Sequence, residues 1–214
     1  MFGPIPLVKA PADYMDSYED LAQGRNTYEE CADYISELML LAAKGLPLRR
    51  GYEDIVRPTR GAALAIRAKA LLYAASPLVN GNTEMADFTN KDGQQLIPQE
   101  YNEEKWAKAA ASARDMIEYS EMSGLYKLYT FERRPVSTDE AYPTTIEPPY
   151  HEEYSNKPFP EGWSNIDPFE SYRSLFNGDI YAAENPELIF TRGTNGDSND
   201  LKTDNTMVDF VKHQ

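Results

Sequence analysis

Arg57-Pro58-Thr59-Arg60-Gly61-Ala62-Ala63-Leu64-Ala65-Ile66-Arg67-Ala68-Lys69-Ala70-Leu71-Leu72-Tyr73-Ala74-Ala75-Ser76-Pro77 is the stretch on which the fold turns. From Gly61 to Ala75 only Arg67 and Lys69 carry charge, among small and aliphatic side chains. The pattern predicts a helix over 59–75 that is covered on most sides. Ala62, Ala65, Ala68 and Ala74 let neighbouring helices approach closely, while Leu64, Leu71, Leu72 and Tyr73 fill the gaps between them. Ser76-Pro77 closes the element.

Two more helices flank it. Thr27 with Glu30 forms a capping box, and Tyr28, Cys31, Ile35, Leu38 and Ala42 follow at 3,4,3,4 spacing, which lays an apolar stripe along a helix until Gly45 and Pro47 stop it. Cys31 reads as a small hydrophobe on that stripe. After a charged linker, 82–100, Asn102 with Glu103 and Glu104 opens a third helix that runs to about Met122, with Gly124 as its stop. Its expected buried side is Trp106, Ala109, Ala110, Ala113 and Ile117, with Lys105, Lys108, Asp115 and Glu118 facing water.

The rest of the chain is less regular. Pro4, Pro6 and Pro11 make residues 1–25 an extended lead-in before a helical, repeat-like core over 26–125. Residues 126–176 hold 11 of the 25 aromatics, and seven of the 15 prolines fall between Pro135 and Pro168, so periodicity gives way to a Pro/aromatic-rich loop over 126–170. Residues 171–214 then read as a short helix (around Glu170 to Phe176), a strand-like run from Glu187 to Thr191, a polar stretch and a cut C-terminal end. The fold class expected is all-α, with stacked helix pairs and long irregular loops.

Composition removes several functions. The 214 residues carry a formal charge of −14, with no stripe of Lys or Arg, which argues against nucleic acid as a partner. One Cys and two His leave no soft-metal site and no intrachain disulfide. Nothing approaches the ~18 apolar residues of a membrane helix. Gly162-Trp163-Ser164 lacks the second glycine of a nucleophile elbow, and Gly193-Thr194-Asn195-Gly196 lacks the Lys-Ser/Thr of a P-loop. Glu152 and Glu161 are a conceivable glycosidase pair, but that chemistry needs a fixed separation that sequence does not supply. No catalytic residue and no resident metal or cofactor is assigned. The acidic loops 87–92 and 197–204 are the only places that suggest calcium, and neither has EF-hand spacing.

Several phrases occur in a telling order: Phe2-Gly3-Pro4-Ile5-Pro6, Arg57-Pro58-Thr59-Arg60-Gly61-Ala62-Ala63-Leu64, Leu72-Tyr73-Ala74-Ala75-Ser76-Pro77-Leu78, Tyr172-Arg173-Ser174-Leu175-Phe176 and Asn185-Pro186-Glu187-Leu188-Ile189-Phe190. Together they resemble the SusD/RagB family across most of the chain. The resemblance implies a fold of tetratricopeptide-like stacked helix pairs and a cell-surface glycan-binding protein without catalysis. Such a protein captures oligosaccharides and hands them to a SusC-like, TonB-dependent outer-membrane transporter. It also implies a surface-exposed, lipid-anchored parent at the outer membrane. The family's signal and lipid-bearing cysteine are absent from this chain, and Cys31 sits inside a helix, so the chain reads as an internal piece. An array without its terminal repeats is expected to expose apolar faces.

Sugars present apolar C–H faces rimmed by hydroxyls, so a glycan site needs flat aromatic platforms beside hydrogen-bonding groups. Tyr150, Tyr154, Phe159 and Trp163 supply the rings, with His151, Glu152, Glu153, Asn156, Asn165 and Asp167 interleaved. The competing reading is that these rings pin the loop onto the helices. Trp106 is assigned to the core from its helical spacing. The rival function is a helical-repeat scaffold that binds protein only, with a glycoside hydrolase behind it.

Overall fold

A computed structural model describes residues 3–51, 54, 57–133, 149–180 and 184–190. Among these the regular structure is mostly helical: α1 (Tyr18–Leu21), α2 (Tyr28–Gly45), α3 (Arg60–Ala75), a 3-10 turn at Thr83–Met85, α4 (Glu104–Ser123), and α5 (Pro168–Arg173). One antiparallel ribbon joins β1 (Phe131–Glu132) to β2 (Ile166–Asp167). The chain divides into two units, Met1–Arg49 with Pro58–Met122, and Arg50–Arg57 with Ser123–Gln214.

In the first unit the helix ends follow from local chemistry. The Thr27 hydroxyl accepts from the Glu30 amide at 3.1 Å, and the Thr27 amide donates to Glu30 Oε2 at 2.8 Å, which completes the expected capping box. The bond from the Thr27 amide, with one from Asn26 Nδ2, holds the Glu30 carboxyl below its usual range. Thr59 caps α3, and the Ser76 amide and hydroxyl both donate to the Tyr73 carbonyl at its far end. Asn102 Oδ1 accepts from the Glu104 amide at the start of α4, and Gly124 leaves its end at φ +61°, a conformation that suits glycine.

α2 packs along α3, and Arg67 ties all three long helices together. Its Nε donates to Ser36 Oγ of α2 at 3.1 Å and its Nη1 to Asp115 Oδ2 of α4 at 2.6 Å. The core forms where Tyr28 and Ala32 meet Ala74, Val79 and Ile97, and where Leu71 and Ala75 meet Ala109. Burial pushes the Tyr28 phenol above its usual range.

The linker contributes more than its charge suggested. Its Leu96 and Ile97 are buried, and the Leu96 carbonyl accepts from the Tyr28 amide. Asn80, 2% exposed, donates from Nδ2 to the Ala75 and Asn102 carbonyls and accepts at Oδ1 from the Asn102 amide. One buried amide therefore joins the end of α3 to the start of α4. The lead-in lies by α2, with the Asn26 amide donating to the Ile5 carbonyl and the Leu7 amide to Asn26 Oδ1.

Three expectations about burial need correction. α4 buries Lys105, Ala109, Ser112 and Tyr119, whereas Trp106 is 38% and Ile117 57% exposed, and Ala110 and Ala113 are exposed too. The helix is turned because Ala109 seats on Leu71 and Ala75, and the buried Lys105 ammonium lies 3.6 Å from Glu29 Oε2. α3 is covered on fewer sides than expected, since Ile66, Leu72 and Tyr73 are about half exposed. On α2, Tyr28 and Cys31 are buried and Ile35 and Ala42 half-buried as expected, but Leu38 is exposed, and Ala32 and Ala43 beside the stripe are buried as well.

In the second unit, β2 runs directly into α5. The Asp167 carboxylate caps the helix by accepting from the Glu170 amide at 2.9 Å, and Pro168 opens it. The Ser171 hydroxyl accepts from the Phe131 amide at 2.8 Å, which fastens β1 to α5. The run expected as a strand from Glu187 onward is turn and irregular chain over 187–190 instead. Pro186 has no amide to give a ladder, and Asn185 Oδ1 accepts from the Glu187 amide to make a local turn.

Candidate aromatic binding site

The site is built on residues 149–167. His151 and Ser155 open it reciprocally: the His151 amide donates to Ser155 Oγ at 2.8 Å and the Ser155 amide to the His151 carbonyl at 2.9 Å. Its far side returns through Trp163, whose amide donates to the Tyr154 carbonyl, and Ser164, whose amide donates to the Lys157 carbonyl. Asn165 Oδ1 then accepts from the Phe159 amide at 2.7 Å. Gly162 is required at the closest crossing, because a Cβ there would run into the Tyr154 and Lys157 carbonyl oxygens. The segment is a small closed loop held by its own backbone.

On that frame Tyr150 is 70% exposed, and its hydroxyl accepts from Asn156 Nδ2 at 2.9 Å. Tyr154 is 47% exposed and stacks with His151, ring centroids 4.8 Å apart and planes 28° from parallel. The His151 Nδ1 accepts from the Glu153 amide at 3.2 Å. Trp163 is half-buried, with the Arg133 guanidinium 5.4 Å from its ring centroid. Phe159 is also half-buried, beside its bond to Asn165.

The four expected residues therefore stand on one hydrogen-bonded loop, two as open rings and two partly covered. Such an arrangement offers flat apolar surface next to fixed donors and acceptors. Glu152 and Glu161 are both exposed. Asp92 of the acidic loop 87–92 accepts from the Gln94 amide of its own turn, and loop 197–204 lies outside the described residues. Among the described residues no three His, Cys, Asp or Glu side chains converge as a metal site, and no helix is long and apolar enough to cross a membrane.

Sequence reading missed Arg133, Tyr172 and Phe176. Arg133 reaches Trp163 because its amide donates to the Asn165 carbonyl just past the β1–β2 pair, a contact 30 residues apart in the chain with no local signal. Tyr172 and Phe176 had a signal in their i,i+4 spacing, and their rings lie 4.9 Å apart.

No family model and no curated protein matches the sequence. Solved structures do. A structure of a protein named BT4246 is similar over 61% of this chain, at 32% identity and a TM-score of 0.55. A structure of selenomethionine BT4246 is similar over 60%, at 33% identity and a TM-score of 0.50. The matched region amounts to 23% and 21% of those chains, so this chain spans less than a quarter of the protein it is similar to.

Proposed function

We propose that this chain is part of a SusD/RagB-type surface glycan-binding protein, which captures oligosaccharides by ring stacking and hydrogen bonding without covalent chemistry. The observation that carries this reading is the closed aromatic loop, with Tyr150 and Tyr154 open to solvent and Trp163 braced by Arg133. The ordered phrases of the sequence and the likeness to BT4246 support the helical frame, with α2 and α3 as one stacked pair of a tetratricopeptide-like array.

On this reading the longer parent is lipid-anchored at the outer membrane and hands its ligand to a SusC-like, TonB-dependent transporter. On the same reading the chain works without a catalytic group, resident metal or cofactor of its own. Isothermal titration of the chain and of its full-length parent against plant and host polysaccharide fragments tests the proposal. Saturable binding of at least one fragment without reducing-end release is expected; release would move the protein to the glycoside hydrolases.

A second reading has a specific observation behind it. Ile66 and Leu72 of α3, and Trp106 and Ile117 of α4, leave apolar helix surface open, as a protein-binding scaffold would. Capture of the transporter with no affinity for any sugar would favour that reading.

A further inference from the structure

We infer that Tyr172 and Phe176 form a second carbohydrate-stacking platform, an inference that rests on the glycan-binding reading above. α5 and the turns that continue it bury the wrong residues for an ordinary amphipathic helix. Glu170, Ser171 and Ser174 are buried, while Tyr172 is 68% and Phe176 42% exposed. The polar residues take the buried positions here, and the two rings together remain an exposed aromatic surface.

The Ser174 amide donates to the Glu170 carbonyl, and the Phe176 and Asn177 amides to the Arg173 carbonyl, which keeps the two rings one turn apart. Their centroids are 4.9 Å apart and their planes 52° from parallel, so the two tilted rings adjoin as one apolar surface.

The neighbouring polar groups are already fixed. Arg173 donates from Nε and Nη2 to Glu170 Oε2 and lies 3.5 Å from Asp179 Oδ2, which also accepts from Asn177 Nδ2 at 2.7 Å. The centre of a protein-binding patch is depleted of charge, whereas a pyranoside needs ring faces beside ordered carboxylate, amide and guanidinium groups. This chemistry fits a polyhydroxylated ligand.

The test titrates the chain, ¹³C-labelled in its aromatic rings, with maltohexaose, cellohexaose, xylohexaose and mannohexaose. The inference expects saturable shifts of the Tyr172 and Phe176 ring signals with at least one of them. Replacing both, Tyr172→Ala with Phe176→Ala, should weaken that ligand about threefold or more. If the double variant does not fold, the ring shifts of the unaltered chain decide. Shifts at Tyr150, Tyr154 or Trp163 with none at Tyr172 and Phe176 would overturn this inference and leave the first site standing. Silence of every ring with all four sugars would remove both.

Discussion

Among the described residues, every buried apolar side chain lies in the helical unit, from Tyr28 and Ala32 to Leu96 and Ala109. Among the described residues of the second unit, those buried are Ser155, Glu170, Ser171 and Ser174, and the rings are half-buried or exposed. Among the described residues, the first unit adds non-directional burial of small residues to its hydrogen bonds, whereas the loop and α5 of the second rest on directed hydrogen bonds. The difference has a functional consequence. Directed bonds fix a loop in place while leaving aromatic surface free for a ligand, which a core would have consumed.

The sharpest way to break this contrast is to charge a small residue inside the helical unit. Ala109→Glu would bury a carboxylate against Leu71 and Ala75, and should cost at least about 4 kcal/mol in urea unfolding. Ala113→Glu, one turn further along α4 but exposed, should stay within about 0.5 kcal/mol. Equal costs would mean that α4 buries the stripe its sequence suggested.

Asn80→Ala removes the three side-chain bonds by which Asn80 joins the end of α3 to the start of α4 and leaves buried backbone groups unpaired, for an expected loss of about 2–3 kcal/mol. Gly162→Ala acts in the other unit. It should speed hydrogen exchange at the Trp163 and Ser164 amides and abolish sugar binding, with exchange in α2 and α3 unchanged.

The smallest effect belongs to the α2 cap. Thr27→Ala should cost about 1 kcal/mol near neutral pH. Glu30 is held below its ordinary value of 4.5, so its share of the cap is fully present above that pH and fades as pH falls through the lower folded-state value. The gap between parent and variant should therefore narrow in acid, and unfolding curves at pH 7 and pH 3 would show it.

The parts legible in the sequence were those decided within a few residues. Thr27 with Glu30, Thr59, Ser76-Pro77 and Asn102 placed the ends of α2, α3 and α4 to within one or two residues, because capping is local chemistry. Which face of α4 goes inward was not legible. Trp106, Ala110, Ala113 and Ile117 form as good an apolar stripe as Ala109, Ser112, Met116 and Tyr119, and the choice rests on contacts of α4 with α2 and α3. The same holds at the site. Composition located the aromatic loop, but the cation over Trp163 depends on the pairing of β1 with β2, which no short-range pattern encodes.

The most direct test compares Trp163→Ala with the unaltered chain in two measurements on one preparation, oligosaccharide affinity by titration calorimetry and the thermal midpoint. The account predicts affinity weakened several-fold or more with the midpoint nearly unchanged. A large drop in midpoint with affinity intact would show that the indole holds the loop together and does not meet the ligand.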